Sequence, residues 1–236
     1  MKGVMLKSLY NLKRPFNIVL FVCLLLFGFG VNFLVLQSPS WNFDEEMLEF
    51  MTFEPSYLEF WIIAGLISMI LTARSLDTLM VDGNEKWNRY CDVTPLGRPK
   101  YILSYYTLMT GLNFIYTCLM SLMPLYTMFV VKTRYGISPD FQAFILGFVI
   151  IFAAGQIVLS LGIFAISNFG ALGIALLFVL FGVLGIFVMS QGFLDIGEFI
   201  YNNNKLLLSS AALLIAAVFT VVSYLITVMM YKKKEL

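Results

Sequence analysis

The side chains with the most chemistry to offer lie together in one stretch, DGNEKWNRYCDVTPLGRPKYILSYY, at residues 82–106. Asp82, Glu85, Lys86 and Arg89 are interleaved with Trp87, Asn88 and Tyr90. That mixture suits recognition. Glu85 and Arg89 are spaced i, i+4, as are Asp82 and Lys86, so each pair shares a helical face and adds roughly 0.2–0.5 kcal/mol. Asp82 can cap a helix, with Glu85 three positions on completing a capping box. Pro95 ends it, because a residue before proline avoids the α region. The spacing therefore predicts a helix of about three turns within residues 82–94, with Trp87, Tyr90 and Cys91 on one face. So short a helix is marginal alone in water and must pack on something. Trp, Tyr and Arg typically carry interface energy, which makes this a docking knob. The plainer alternative is an interfacial helix whose aromatics sit at headgroup depth.

Chemistry of other kinds finds little support. There is no His, which removes the commonest general base and metal ligand. Cys23, Cys91 and Cys118 are scattered without a CxxC pair and read as reduced, structural thiols. No GxxxxGK[ST] phosphate loop and no HExxH occurs. A net charge of +1 gives no electrostatic footprint for nucleic acid.

The elements that position the polar stretch are apolar. The 236 residues are 60% hydrophobic and 12% charged, with uncharged runs far beyond 18 residues, as in an integral membrane protein. The runs are continuous rather than alternating, so helices are expected, not barrel strands. Six spans fit: residues 16–36, a weak one near 57–72 between Glu59 and Arg74, one within 101–131, two within the uncharged run 141–194, and 206–231. The sequence SNFG at residues 167–170 is the natural turn between the fourth and fifth. The first run is 21 residues, longer than the roughly 7–15 of a signal peptide, and no small-x-small site follows it. It reads as an uncleaved span.

Placing both termini in the cytoplasm puts 12 of the 15 Lys and Arg residues on the inner side, including the whole 82–100 connection. The expected fold is an all-α integral membrane protein: an amphipathic interface helix over residues 1–15, then one six-span domain over 16–236. Met5, Leu9 and Leu12 give that first helix one face, and Lys7, Asn11 and Arg14 another. A disordered basic lead-in is the alternative. Arg74 can pair with Asp77 near the inner end of the second span. Residues 190–205, with Phe193, Ile196, Phe199 and Ile200 at helical spacing, suggest a re-entrant segment on the outer side.

Within the spans, Asn113, Tyr116, Gln156 and Ser160 are the candidate pathway contacts. The alternative for them is interhelical hydrogen bonding at about 1 kcal/mol each. Glycines and alanines in the spans, such as Ala212 and Ala216, suit close helix packing. No ionisable residue sits mid-span, which argues against an ion-coupled carrier.

Two stretches resemble a known family. MKGVMLKSLYNLKR, at the start of the chain, is similar to the opening of small six-span membrane subunits of ATP-binding-cassette exporters of the ABC-2 class. EKWNRYCDVTPLGRPKYILSYY is similar to their cytoplasmic loop, through Lys86, Trp87, Tyr90, Pro95, Arg98, Ile102, Leu103, Ser104 and Tyr106. The narrower likeness is to Gram-positive permeases that export phenol-soluble modulin-like peptides or are linked to bacteriocin immunity. The resemblance implies that residues 82–94 are a coupling helix, with Glu85, Lys86, Trp87, Asn88, Arg89, Tyr90 and Arg98 docking into a separate ATPase. It also implies a second permease, identical or paralogous, in a two-plus-two assembly in the bacterial cell membrane. ATP and Mg would then belong to the partner ATPase, with no cofactor and no catalysis in this chain. Amphipathic peptide is the cargo it suggests. An immunity or partner-anchoring subunit without transport is the alternative. The chain departs from the pattern at Pro99, where relatives often carry a polar residue, and this bears on how the third span starts.

Overall fold

The computed structural model describes residues 97–135, 140–170 and 203–233 continuously, together with 61, 64–72 and 76 and the single positions 19, 22, 23, 26, 28, 30, 172, 173 and 179. Nearly all of these residues are helical, and no strand occurs among them. Four long helices follow the apolar runs: α1 (Gly97–Met120), α2 (Leu122–Tyr135), α3 (Phe141–Phe169) and α4 (Lys205–Lys233). Three stretches are long and apolar enough to cross a membrane: Pro99–Val130, Phe141–Phe169 and Lys205–Met230. They match the third, fourth and sixth expected spans. The interface helix over 1–15, the coupling helix over 82–94 and residues 190–202 lie outside the described residues, as do Glu59, Arg74 and Asp77.

Local chemistry sets the boundaries. Helix α1 is already formed at Gly97, ahead of the expected start at residue 101, and takes in Arg98 and Pro99. Proline is tolerated there because the first four amides of a helix have no intrahelical acceptor. Between α1 and α2 the break is confined to Ser121. Pro124 has no N–H to offer the carbonyl of Met120, yet the ladder resumes at once: the Ser121 amide donates to Thr117 at 2.9 Å and the Leu125 amide to Ser121 at 3.2 Å. The two helices thus form one interrupted span. Asp140 caps α3, its Oδ1 accepting from the amides of Gln142 at 2.8 Å and Ala143 at 3.1 Å. At the other end the helix runs through Ser167 and Asn168, and only Gly170 leaves it, with φ +59° and its amide donating to Ile166 at 3.0 Å. The helix therefore ends within the expected SNFG segment, at its glycine. Gly173 then lies against the backbone of Ala165, where a Cβ would overlap it.

The packing gives the helix directions. Trp61 lies over Gly147, Gly65 faces Ile151, and Leu76 lies over Gly162, so the 61–76 segment and α3 advance together and are parallel. Gly155 sits in the same row under Asn113. A Cβ at Gly147, Gly155 or Gly162 would overlap its covering side chain, so this row of glycines sets how closely the neighbours approach. Helix α1 runs the other way: Asn113 meets Phe152 while Tyr106 meets Ser160. Helix α4 is parallel to α3, since Lys205 pairs with Asp140 and Ser223 with Ser160. Two apolar clusters form the core. One joins Trp61, Ala64, Ile67 and Leu71 to Met120, Met123 and Ile151. The other joins Leu76 to Tyr101, Tyr105, Met109, Leu159 and Ile163. Between them lies a belt of polar side chains.

Candidate functional site: a polar belt inside the bundle

In lipid a polar side chain finds its partners inside the protein, and this belt shows how. On α1, Tyr106, Thr110, Asn113 and Thr117 recur every three or four residues and so share one face. Asn113 is fully buried. Its Nδ2 donates to the Phe152 carbonyl on α3 at 3.0 Å, and its Oδ1 accepts from Thr72 Oγ1 at 3.3 Å. One amide thus ties together the 61–76 segment, α1 and α3.

One turn toward the Gly97 end, Gln156 Nε2 donates to Thr110 Oγ1 at 2.8 Å and to Thr220 Oγ1 at 3.2 Å, joining α3 to both α1 and α4. Its Oε1 is buried without a hydrogen-bond partner. Turning the amide over would only exchange which atom is left, so the deficit belongs to the place.

A third level follows. Ser160 Oγ donates to the Gln156 carbonyl at 2.7 Å, Thr220 to Ala216 at 2.8 Å, and Thr227 to Ser223 at 2.7 Å. These hydroxyls spend their single proton on their own helix. Ser223 does not: it donates across to the Ser160 carbonyl at 2.7 Å. Its lone pairs then accept from Tyr106 Oη, 2.7 Å away.

The candidates from sequence fare differently. Asn113, Gln156 and Ser160 come together in this belt. Tyr116 does not; it packs beside the Trp61 cluster. Glu85, Lys86, Trp87, Asn88, Arg89 and Tyr90 lie outside the described residues. Arg98 is in the first turn of α1, and its side chain lies outside the described residues as well. Thr72, Thr110, Thr220, Ser223 and Thr227 were not anticipated, although residues 220, 223 and 227 carry a helical spacing of hydroxyls in an otherwise apolar run. Nor was the ion pair at the far end, where Lys205 Nζ lies 2.7 Å from Asp140 Oδ2. Among the described residues no three His, Cys, Asp or Glu side chains converge as a metal site.

A bundle of helices long and apolar enough to cross a bilayer, with uncharged polar groups paired inside it, defines a helical membrane protein. The sequence comparison gives the family. The family model "ABC-2 family transporter protein" matches residues 46–232, and the chain belongs to that family. It is thus a membrane subunit of an ATP-binding-cassette transporter, a permease component whose working partner is an ATPase. No match was found among curated proteins or among solved structures.

Proposed function

We propose that this chain is the pathway-forming permease of an ATP-driven exporter, coupled to a separate ATPase through the loop helix over residues 82–94. The observation that carries the reading is where α1 begins. It is already helical at Gly97, two residues after Pro95, and continues into the longest candidate span among the described residues, Pro99–Val130. A rigid helix so close to the proposed docking segment transmits a push, whereas a long flexible loop would absorb it. Glu85, Lys86, Trp87, Asn88, Arg89, Tyr90 and Arg98 supply the docking surface, and ATP and Mg are bound by the partner.

Two permeases and two ATPases make the assembly, in a bacterial cell membrane with both termini in the cytoplasm. Closure of the ATPases shifts the population of inward- and outward-open pathways, provided that it favours one state by more than the cost of the membrane rearrangement. Amphipathic peptide is the cargo class best matched to a pathway without ionisable groups. Gln156 is the candidate contact with most support, because its buried Oε1 lacks a donor. Asn113 and Ser160 are already engaged between helices.

The test is co-purification with the ATPase, followed by ATP hydrolysis in lipid. Trp87→Ala and Arg89→Glu are each expected to lower hydrolysis by the complex at least tenfold and to weaken co-purification. Hydrolysis and binding that survive both changes would remove the coupling role. A stable complex whose hydrolysis never responds to the permease would favour the immunity or anchoring reading.

A further inference from the structure

We propose that the Tyr106 hydroxyl is a pin that makes α1, α3 and α4 move as one body, so that motion entering α1 from the loop reaches the last span without slack. The source of that motion rests on the proposed function; the pin does not.

Tyr106 lies nine residues beyond Gly97, about 13 Å along the helix, close to where the loop delivers its push. It is 4% exposed. Its hydroxyl donates to Ser223 Oγ on α4 at 2.7 Å, and Ser223 donates on to the Ser160 carbonyl of α3, also at 2.7 Å. The shortest contacts give the order of donors, the Ser160 carbonyl and Thr227 Oγ1 lying farther from Tyr106 Oη at 3.5 Å each. Ser160, Thr220 and Thr227 each give their proton to their own helix, and the single Ser223 proton goes to Ser160. Only Tyr106 is left to donate to Ser223. One phenol therefore joins α1 to α4 directly and reaches α3 most closely through Ser223, its direct approach to the Ser160 carbonyl being 3.5 Å.

The ring is held as firmly as the hydroxyl. Tyr224 meets it edge-on with centroids 5.7 Å apart. The Tyr224 hydroxyl in turn approaches the carbonyl of Pro99, in the first turn of α1, at 3.5 Å. Neighbouring positions 223 and 224 of α4 thus both grip the loop end of α1. Apolar contacts alone let helices slide and rotate past one another, and no water is present in lipid to stand in for a lost partner. A serial hydrogen bond fixes register, so Tyr106 is a positioning residue.

The test uses spin labels at Leu103→Cys on α1 and Leu225→Cys on α4, both on exposed faces. Cys23, Cys91 and Cys118 are replaced by Ser, and distances are read by pulsed electron resonance in nanodiscs. Without other changes, one narrow distance distribution is expected, unchanged when the ATPase partner is added and trapped with ATP and vanadate. Tyr106→Phe keeps the ring and is expected to broaden the distribution in the permease alone and to make it respond to trapping. Ser223→Ala breaks the same link from the other side and must reproduce this, and the double variant should be no worse than either single one. The pin is overturned if both variants keep the narrow distribution, or if the unaltered pair already shifts on trapping. Failure to assemble with an ATPase would instead count against the proposed function, and the permease-alone measurement would still decide the pin.

Discussion

Asn113 and Gly155 show how one polar residue obtains a place in an apolar bundle. The Asn113 amide lies directly on the Gly155 backbone, where a Cβ would overlap it. The glycine makes room, and the amide uses the room to reach the Phe152 carbonyl and Thr72. Asn113→Ala should cost about 0.6–2 kcal/mol, the span of values for interhelical hydrogen bonds in membranes. Gly155→Ala should cost about 1–3 kcal/mol by overpacking. Their combination should cost less than the sum, because the space vacated by the amide accepts the new methyl. Reversible unfolding in mixed micelles measures all three. Strict additivity would mean that the two residues are not in contact.

Among the elements, the parallel pair α3 and α4 is fastened at its start by Asp140, which does two jobs with two oxygens. Oδ1 caps α3, and Oδ2 pairs with Lys205 in the first turn of α4. A lysine there opposes the positive end of the helix dipole, so the carboxylate offsets an unfavourable placement. Asparagine caps as well as aspartate but carries no charge. Asp140→Asn should therefore cost only the pair, about 0.2–1 kcal/mol, and more than Lys205→Ala, which also removes the cation from the positive end of the dipole. Asp140→Ala should cost about 1 kcal/mol more, through the lost cap. High salt should shrink the Asn deficit only in part, because the pair is partly buried, and leave the additional Ala deficit in place. Equal stabilities for the Asn and Ala variants would refute the division of labour.

At this scale the sequence was informative in one respect and mute in another. Uncharged runs located α1, α3 and α4 to within a few residues, and Asn168 with Gly170 marked the turn. Which faces meet was not legible, because Ser and Thr in a span satisfy their own backbone and hardly disturb the hydropathy. Asn113, Gln156 and Ser160 stood out as polar in a greasy run, but their convergence depends on a helix more than a hundred residues away from α1.

For the molecule as a whole, the helix directions turn a charge-counting argument into a geometric one. Helices α3 and α4 begin at the same end, through Asp140 and Lys205, and α1 begins at the opposite end. Each of the 29-residue helices measures about 43 Å, against a hydrocarbon core of about 30 Å. Asn204 and Phe169 must then lie on opposite sides of the membrane, and Phe169 on the side of the Gly97 end of α1. The proposed orientation, argued from the surplus of Lys and Arg, makes that second side the cytoplasm. In a chain with Cys23, Cys91 and Cys118 replaced, Asn204→Cys should react with an impermeant maleimide in intact cells. Phe169→Cys, at a half-exposed position, should react only after permeabilisation. The reverse pattern would put the 82–94 loop outside, where no ATPase could reach it. Labelling of both from one side would break the parallel packing of α3 and α4 across the bilayer. Only the expected pattern lets a soluble motor push on Gly97 and move a bundle whose polar belt is sealed from lipid.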